Sequence, residues 1–311
     1  MHDRPLIHLG YPKTGTTTLQ EHLFRGHEEI VAFQQPDQRK DPATHAILRA
    51  LLESGRTDFS RARAAIERCN GANKRLVVSD EALTFGEFMS RSSVYPIRSD
   101  HSATAERIRS LFGEAKIVVF VRNQANLAVS FQRQLMKRGL ESPRPVCEYL
   151  DSMNARTDGR MSKALDYEAM YDAYCAVFGP THVHVFVYEN WVSDFGAAAK
   201  ALAVIAGVDP DLAVSLVRGH NKNVTKSGYT EFRQYPAVSK RTIRRLNGAR
   251  KKLARFLPRS AARVLRQALL VDREYPAVDK ASRERIVAEY AASNRRLFDR
   301  LGIDGEALGY W

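Results

Sequence analysis

Short apolar runs and amphipathic stretches alternate along most of the chain. The runs of strand length occupy residues 5–10, 30–33, 75–83, 116–121 and 182–188. Most of the stretches between them space their apolar residues three and four positions apart, which is the period of a helix. This alternation predicts an α/β fold of three layers, in which a central, mostly parallel sheet carries helices on both faces.

Two runs also predict their own place in the sheet. Residues 116–121 (KIVVFV) are almost continuously apolar and β-branched, as central strands of parallel sheets are. Residues 182–188 (HVHVFVY) alternate, which favours a position near the sheet edge. After the central strand, Met161 to Phe178 is predicted to form one amphipathic helix that stops at Gly179-Pro180, and a last helix covers about 281–301.

Length and composition favour a single domain. With 311 residues and 44% hydrophobic side chains, the chain can bury a core of its own. No internal repeat or low-complexity linker divides it, so we predict one domain over 1–311, with an α/β core at 1–235 and a basic, helical C-terminal part at 236–311. Its three cysteines are odd in number and lack C-x-x-C spacing, which argues against a disulfide framework or a zinc site and suits a reducing compartment.

The start of the chain and its hydropathy bear on location. The first strand begins within about six residues of Met1, which leaves no room for the charged and apolar regions of a signal peptide. No run approaches the roughly 18 apolar residues of a membrane span. We therefore expect a cytoplasmic protein.

Positive charge is concentrated in one segment. The formal net charge is +13, and residues 240–266 contain eleven Lys or Arg and no Asp or Glu. The surrounding segment 239–270 has helical spacing, so it is either a pair of helices with a solvated charged face or a binding surface. As a binding surface it would suit an anionic glycan acceptor or an anionic membrane surface that carries a lipid-linked acceptor. We expect no nucleic acid, because neither an interleaved series of aromatic residues nor a recognition motif accompanies the charge.

The loop after the first strand has the composition of an anion site. In LGYPKTGTTT (Leu9–Thr18), Gly10 and Gly15 allow successive N–H groups to face one point, and the helix that follows adds positive charge there. Threonine hydroxyls and the Lys13 ammonium can add to this site. In the Walker pattern the lysine follows the last glycine, whereas Lys13 precedes Gly15 by two positions. The alternative is an ordinary glycine turn with threonine caps.

A second candidate lies at the end of the central strand. Arg122 directly follows the run 116–121, at the strand end where ligands bind in open α/β sheets, and Ser130 lies eight residues further on. An isolated arginine at such a place is more often a surface or salt-bridge residue. Beside an anion loop in the same sheet, it becomes a candidate for a second phosphate.

These segments resemble one enzyme family. GYPKTGTTTLQ resembles the 5′-phosphosulfate loop of sulfotransferases that use 3′-phosphoadenosine 5′-phosphosulfate (PAPS), and VVFVRNQANLAVSFQRQ resembles their 3′-phosphate segment. A later strand ending in Tyr-Glu and the Tyr310-Trp311 ending are also similar, and the resemblance covers roughly residues 5–225. It implies a P-loop-NTPase-like sulfotransferase fold with a helical C-terminal part.

The resemblance also implies roles for individual residues. Lys13 would stabilise the bridging oxygen as the S–O bond breaks, and Arg122 and Ser130 would hold the 3′-phosphate. The 5′-phosphosulfate would be held by Lys13, Thr14, Gly15, Thr16, Thr17 and Thr18. Gln124 stands where the family commonly has proline, which we expect to loosen the turn. The polar, basic stretch 219–229 fits by position the loop that closes over the adenosine.

Sulfuryl transfer also needs a base near the attacking group. Members of the family place a histidine or glutamate near a strand end. Here the run 75–83 ends in Ser79-Asp80-Glu81, and of its two carboxylates we prefer Glu81, although it could merely favour a helix dipole. Histidines 8, 22 and 27 are weaker candidates, since His8 lies inside the first strand. No metal is predicted, because no ligand cluster has suitable spacing and an activated sulfate does not demand one.

The leading hypothesis is a PAPS-dependent sulfotransferase acting on a hydroxyl of a carbohydrate or glycolipid, with 3′,5′-ADP as product. One alternative is a nucleotide kinase or NTPase. The displaced Lys13 argues against it, as does KIVVFVR, which ends in Arg122 where a Walker-B carboxylate would stand. The other is a basic binding module without catalysis, which the joint presence of Lys13, Arg122 and Ser130 disfavours.

Overall fold

A computed structural model describes most of the chain. The described residues are 4–34, 37, 41–53, 58–70, 74–85, 100–137, 141, 143–218, 231–234, 271–274 and 279–311. Two predicted features, the adenosine-side loop at 219–229 and the basic segment at 239–270, lie outside the described residues.

A five-stranded, all-parallel sheet forms the centre of the fold, in the order β2-β3-β1-β4-β5. Its strands are β1 (Leu6–Gly10), β2 (Ile30–Gln34), β3 (Arg75–Asp80), β4 (Lys116–Val121) and β5 (Val183–Val187). The predicted α/β fold is therefore confirmed, and so are the central position of β4 and the edge position of β5. At the carboxyl end of the sheet, Leu9 lies opposite Asp80, and Gly10 lies opposite Phe120.

Helices cover both faces of this sheet. Their bounds are α1 (Thr16–Thr18) with a π-helical continuation (Leu19–Phe24), α2 (Pro42–Leu52), α3 (Ser60–Asn70), α4 (Ala82–Phe85), α5 (His101–Phe112), α6 (Gln124–Lys137), α7 (Val146–Arg156), α8 (Arg160–Leu165), α9 (Tyr167–Phe178), α10 (Tyr188–Ser193), α11 (Phe195–Ala206), α12 (Pro210–Val217) and α13 (Lys280–Leu301). Alternate residues of each strand point to opposite faces. Ile117 and Val119 thus enter the core shared with α5–α9 and α13, while Val118 and Phe120 pack with the π-helix and α10–α12.

The prediction of one helix from Met161 to Phe178 is wrong. The structure has α8 and α9 instead, separated at Asp166, whose backbone is extended (φ −82°, ψ 93°). The Asp166 carboxylate accepts a hydrogen bond from the Ala169 N–H (3.1 Å) and so caps the start of α9. A side chain that caps a new helix competes with continuation of the old one, and the apolar period does not record this.

The C-terminal helix matches its predicted range and packs on the core. Exposed ion pairs join α13 to α9, with Arg296 beside Glu168 and Arg300 beside Asp172. After α13 the chain turns inward, so that Tyr310 is fully buried and its ring meets that of Phe298 edge-on at 4.6 Å between centroids. Among the described helices none is long and apolar enough to cross a membrane.

Two further strands bracket the basic segment. β6 (Glu231–Gln234) and β7 (Val271–Glu274) pair antiparallel, with Gln234 opposite Val271. This pairing brings together the two ends of residues 235–270. It also links the two predicted parts of the chain across residue 235, although the division itself stays a prediction.

Candidate active site

The loop after β1 folds back closely on the strand that precedes it. A Cβ built on Gly10 would lie 2.4 Å from Thr16 Cγ2 and 3.4 Å from Glu81 Cγ. Real Cβ atoms do not approach other atoms at the first of these distances, so only glycine allows the start of α1 and the end of β3 to lie this near β1. The predicted sequence of strand, tight loop and helix is present.

Two residues of the loop have left-handed backbone conformations. Lys13 has a φ of 70° and Gly15 a φ of 84°. For Lys13 this conformation costs roughly 1–2 kcal/mol, a strain that the surrounding structure must hold in place. At Gly15 a side chain would also meet Trp191, whose Nε1 lies 2.8 Å from the position of a Cβ. Trp191 of α10 therefore closes one side of the loop.

The backbone of the loop is open toward an anion. Among the described residues, no hydrogen bond uses the N–H groups of residues 14–17, and no side chain caps the helix at Gly15. Successive N–H groups in a loop of this kind, at a helix start, form a concave anion site. The Lys13 and Thr17 side chains are exposed beside it.

Two of the predicted hydroxyl donors are used within the protein. The Thr14 hydroxyl donates to the Tyr11 carbonyl at 2.6 Å, and the Thr16 hydroxyl donates to the Glu81 carboxylate. Thr18 is buried. Thr14 and Thr16 therefore shape the loop, while Lys13 and Thr17 are its exposed residues.

Arg122 lies directly against this loop. Its Nη1 donates to the Lys13 carbonyl at 2.9 Å, and its Cζ lies 4.4 Å from the centre of the Tyr188 ring, a cation–π distance. Its Nε is buried and has no hydrogen-bond partner among the described residues. A buried donor without a partner costs about 1–3 kcal/mol, which an anionic ligand would recover. The structure thus brings together the two predicted anion-binding residues.

Ser130 and Gln124 both lie on α6, the helix that follows Arg122. Ser130 is half-buried, two helical turns beyond the strand end. Gln124 is buried and forms a reciprocal amide pair with Asn294 of α13, at 2.8 and 3.1 Å, and also donates to the Leu165 carbonyl. The Gln124 amide thus ties the start of α6 to α13, and the expectation that it loosens the turn relative to proline stays a prediction.

The two carboxylates after β3 have different surroundings. Asp80 is almost fully buried, and this burial, reinforced by the neighbouring Glu81, raises its pKa to about 7 although the Ala82 N–H donates to it at 2.8 Å. Glu81 is half-buried and contacts the loop through Thr16. It lies in the turn just before α4. Of the two, Glu81 is the carboxylate in contact with the anion site.

A buried polar network links β1, β3 and the π-helix next to the loop after β1. His8 Nδ1 and the Ser79 hydroxyl lie 2.7 Å apart, and Gln20 Nε2 donates to the same hydroxyl at 2.9 Å. Burial lowers the pKa of His8 to about 3, so its ring is uncharged at neutral pH. His8 is thus the buried core residue that its position in β1 predicted. Gln20 was missed, since a glutamine on a helix carries no signal of its partner.

Sequence reasoning also missed the contacts that Glu189 makes beside Arg122. Its Oε1 accepts the Asn123 N–H and its Oε2 accepts the Tyr310 hydroxyl, both at 3.1 Å. The Tyr-Glu strand end and the Tyr310-Trp311 ending were noted separately, and only the fold shows that they meet. Within the described part of the chain, no group of three or more His, Cys, Asp or Glu side chains could hold a metal ion.

The chain was compared with known proteins. A sequence profile of the sulfotransferase family matches residues 5–211. A sulfotransferase structure from Alicyclobacillus acidocaldarius is 15% identical with a TM-score of 0.57, and the match covers 99% of each chain. A mouse sulfotransferase complexed with PAP matches 68% of this chain and 62% of its own, at 15% identity and a TM-score of 0.40. A sulfotransferase from Mycobacterium tuberculosis matches 70% and 71%, at 14% identity and a TM-score of 0.41.

No curated protein sequence matches the chain significantly. The family profile nevertheless covers more than half of the chain, including β1 to β5, the loop after β1 and Arg122. The likeness to the Alicyclobacillus structure shows the same fold. The chain belongs to the sulfotransferase family.

Proposed function

We propose that the protein transfers the sulfuryl group of PAPS to a hydroxyl of an acceptor and releases 3′,5′-ADP. The observation that carries this proposal is the contact between Arg122 and the Lys13 carbonyl, which places a second cationic group beside the anion loop. A donor with phosphate groups at both the 5′ and the 3′ position has one anion for the loop with Lys13 and another for Arg122. ATP and GTP lack the 3′-phosphate.

The residues present suit such a donor. The open N–H groups of residues 14–17 and the Lys13 ammonium would hold the 5′-phosphosulfate. Arg122 and Ser130 would hold the 3′-phosphate, and the unpartnered Nε of Arg122 would gain an acceptor. The hydroxyls of Thr14 and Thr16 contribute indirectly, by fixing the shape of the loop, and Thr18 is buried at its end.

The reaction asks for a base and for charge stabilisation. The acceptor oxygen bonds to sulfur, the bond from sulfur to the bridging oxygen breaks, and the negative charge passes to the departing 5′-phosphate. In this proposal Lys13 and the loop N–H groups stabilise that charge. We assign Glu81 as the base that takes the proton of the acceptor hydroxyl. In doing so its carboxylate would give up the hydrogen bond that it accepts from Thr16. No metal is assigned a role.

The acceptor is proposed to be a carbohydrate or a glycolipid. The support is the charge of segment 239–270, which suits an anionic glycan or the anionic membrane surface around a lipid-linked acceptor. We assign no nucleic-acid partner. The three cysteines are free thiols, which agrees with a cytoplasmic location.

The experiment is an acceptor screen with radiolabelled PAPS. Label should pass to a carbohydrate or glycolipid hydroxyl, with release of one 3′,5′-ADP per transfer, and EDTA should leave the rate unchanged. A rate that is lost with EDTA and restored by magnesium would contradict the metal-free mechanism. Hydrolysis of ATP with no use of PAPS would favour an NTPase instead.

A further inference from the structure

The backbone that carries Arg122 is held by groups outside the anion loop. The Tyr167 hydroxyl donates to the Arg122 carbonyl at 2.6 Å, and the next N–H, that of Asn123, donates to Glu189 at 3.1 Å. Asn123 is almost fully buried, and its side-chain amide donates to the Gly309 carbonyl at 2.5 Å. Both polar atoms of the peptide group after Arg122 therefore have partners, and the Asn123 side chain adds a third hydrogen bond beside them.

Glu189 joins this peptide to the segment after α13. One carboxylate oxygen accepts the Asn123 N–H, and the other accepts the hydroxyl of the fully buried Tyr310. Burial and the nearby Glu189 carboxylate raise the pKa of Tyr310, so its hydroxyl keeps its proton and remains a donor. The Tyr310 carbonyl in turn accepts from Asn294, the partner of Gln124.

The pair Tyr188-Glu189 also contacts the side chain of Arg122. Tyr188, directly before Glu189, provides the ring on which the guanidinium stacks. A shift of Glu189 would thus move both the peptide after Arg122 and the surface beneath its guanidinium. With both supports in place, the Nη1 of the guanidinium donates to the Lys13 carbonyl.

We propose that Tyr310 and Glu189 are positioning residues that orient Arg122 for recognition of a nucleotide 3′-phosphate. This assignment rests on the proposed function, in which Arg122 binds that phosphate. Neither residue is assigned a contact with the donor. Tyr310 holds the Glu189 carboxylate, and Glu189 holds the Asn123 peptide and places Tyr188. Arg122, together with Ser130, is the residue assigned to the 3′-phosphate.

The test removes one hydroxyl. Tyr310→Phe deletes the donor to Glu189 but keeps the ring that packs on Phe298, so the fold should persist. Tyr174→Phe is the matched control, because Tyr174 is also fully buried and its hydroxyl has no hydrogen-bond partner among the described residues. Calorimetry on the full chain would measure Kd for 3′,5′-ADP and for ADP, which lacks the 3′-phosphate, and thermal melting would check folding.

Tyr310→Phe should weaken 3′,5′-ADP binding about five- to tenfold and leave ADP binding within about twofold. The loss is smaller than the roughly tenfold or more that a direct hydrogen bond to a charged group is worth, because Tyr310 acts on Arg122 through Glu189. Tyr174→Phe should leave both unchanged. Glu189→Gln, which keeps an oxygen for the Asn123 N–H and an amide toward Tyr310, should lose less of the preference than Glu189→Ala. A merely structural role would instead weaken both nucleotides alike.

Two results would overturn the assignment in distinguishable ways. If Arg122→Ala abolishes the preference for 3′,5′-ADP while Tyr310→Phe retains it in full or weakens both nucleotides equally, the positioning role is refuted and the proposed function stands. If the wild-type protein shows no preference for 3′,5′-ADP over ADP, the proposed function fails and the positioning role fails with it.

Discussion

Arg122 donates a 2.9 Å hydrogen bond to the carbonyl of Lys13, a residue 109 positions earlier in the chain. This contact ties the end of β4 to the loop after β1, two neighbouring strands of the sheet. It makes one continuous cationic site from two segments that the sequence presents separately. The roles proposed for these two side chains and for their neighbours can be tested individually.

Removal of the Lys13 ammonium should abolish most of the turnover. Lys13→Ala is expected to lower kcat by ~10² or more, the scale of a lost transition-state donor. Lys13→Gly should lower it as strongly but melt at the same or a higher temperature than Lys13→Ala, because glycine accepts the φ of 70° without strain. The exposed Lys200 on α11 provides a control for the loss of a lysine. Turnover that survives both substitutions would remove Lys13 from the mechanism.

Glu81 has two roles that substitution can separate. As the base, Glu81→Gln should lower kcat by ~10²–10⁴ with little change in KM for PAPS. Thr16→Val removes the hydroxyl that donates a hydrogen bond to Glu81. It should lower kcat by about tenfold or less, the value of one hydrogen bond. Equal losses of kcat in the two variants would show that Glu81 only supports Thr16.

Gly15 should tolerate alanine less well than another left-handed glycine. Gly159 has a φ of 72° with no atom near a built Cβ, whereas Gly15 has a φ of 84° and Trp191 Nε1 at 2.8 Å. Gly159→Ala should therefore lower the free energy of unfolding by roughly 1–2 kcal/mol from conformation alone. Gly15→Ala should lose a further 1–3 kcal/mol or so from the steric overlap. Urea denaturation measures both, and equal losses would mean that Trp191 does not confine the loop.

Asp80 should make stability depend on pH in a defined window. Burial raises its pKa from 3.8 to about 7, so the folded protein keeps a proton that the unfolded chain has released between these values. Its contribution to stability is fully present below about pH 4 and is lost as the pH rises through 7. Asp80→Asn should therefore match the wild type near pH 4 and exceed its free energy of unfolding at pH 8, by on the order of 2–4 kcal/mol.

Asp41 gives a control of opposite sign for this titration. Its partial burial raises the pKa, but hydrogen bonds from Thr44 and Ala43 outweigh that effect and leave the pKa lowered. Asp41→Asn should thus be the less stable protein above about pH 4. A pH-independent difference between Asp80→Asn and the wild type would show that Asp80 does not titrate in this window.

The sequence predicted the sheet well because each strand carries its own apolar pattern. β4 reads as central and β5 as an edge strand from their own side chains, and the loop after β1 has a recognisable composition. The break at Asp166 was not predictable, since the apolar period continues across it. Contacts between distant side chains leave no local pattern at all. The Gln124–Asn294 and Tyr310–Glu189 pairs, 170 and 121 positions apart, became visible only in the fold.

The most direct test of the central claim is calorimetry of the wild-type protein and Arg122→Ala with 3′,5′-ADP and with ADP. The wild type should bind 3′,5′-ADP the more tightly. Arg122→Ala should weaken 3′,5′-ADP binding by about tenfold or more, the value of a charge-assisted hydrogen bond, and change ADP binding little. Equal binding of the two nucleotides by the wild type, or equal losses for both in Arg122→Ala, would contradict the account.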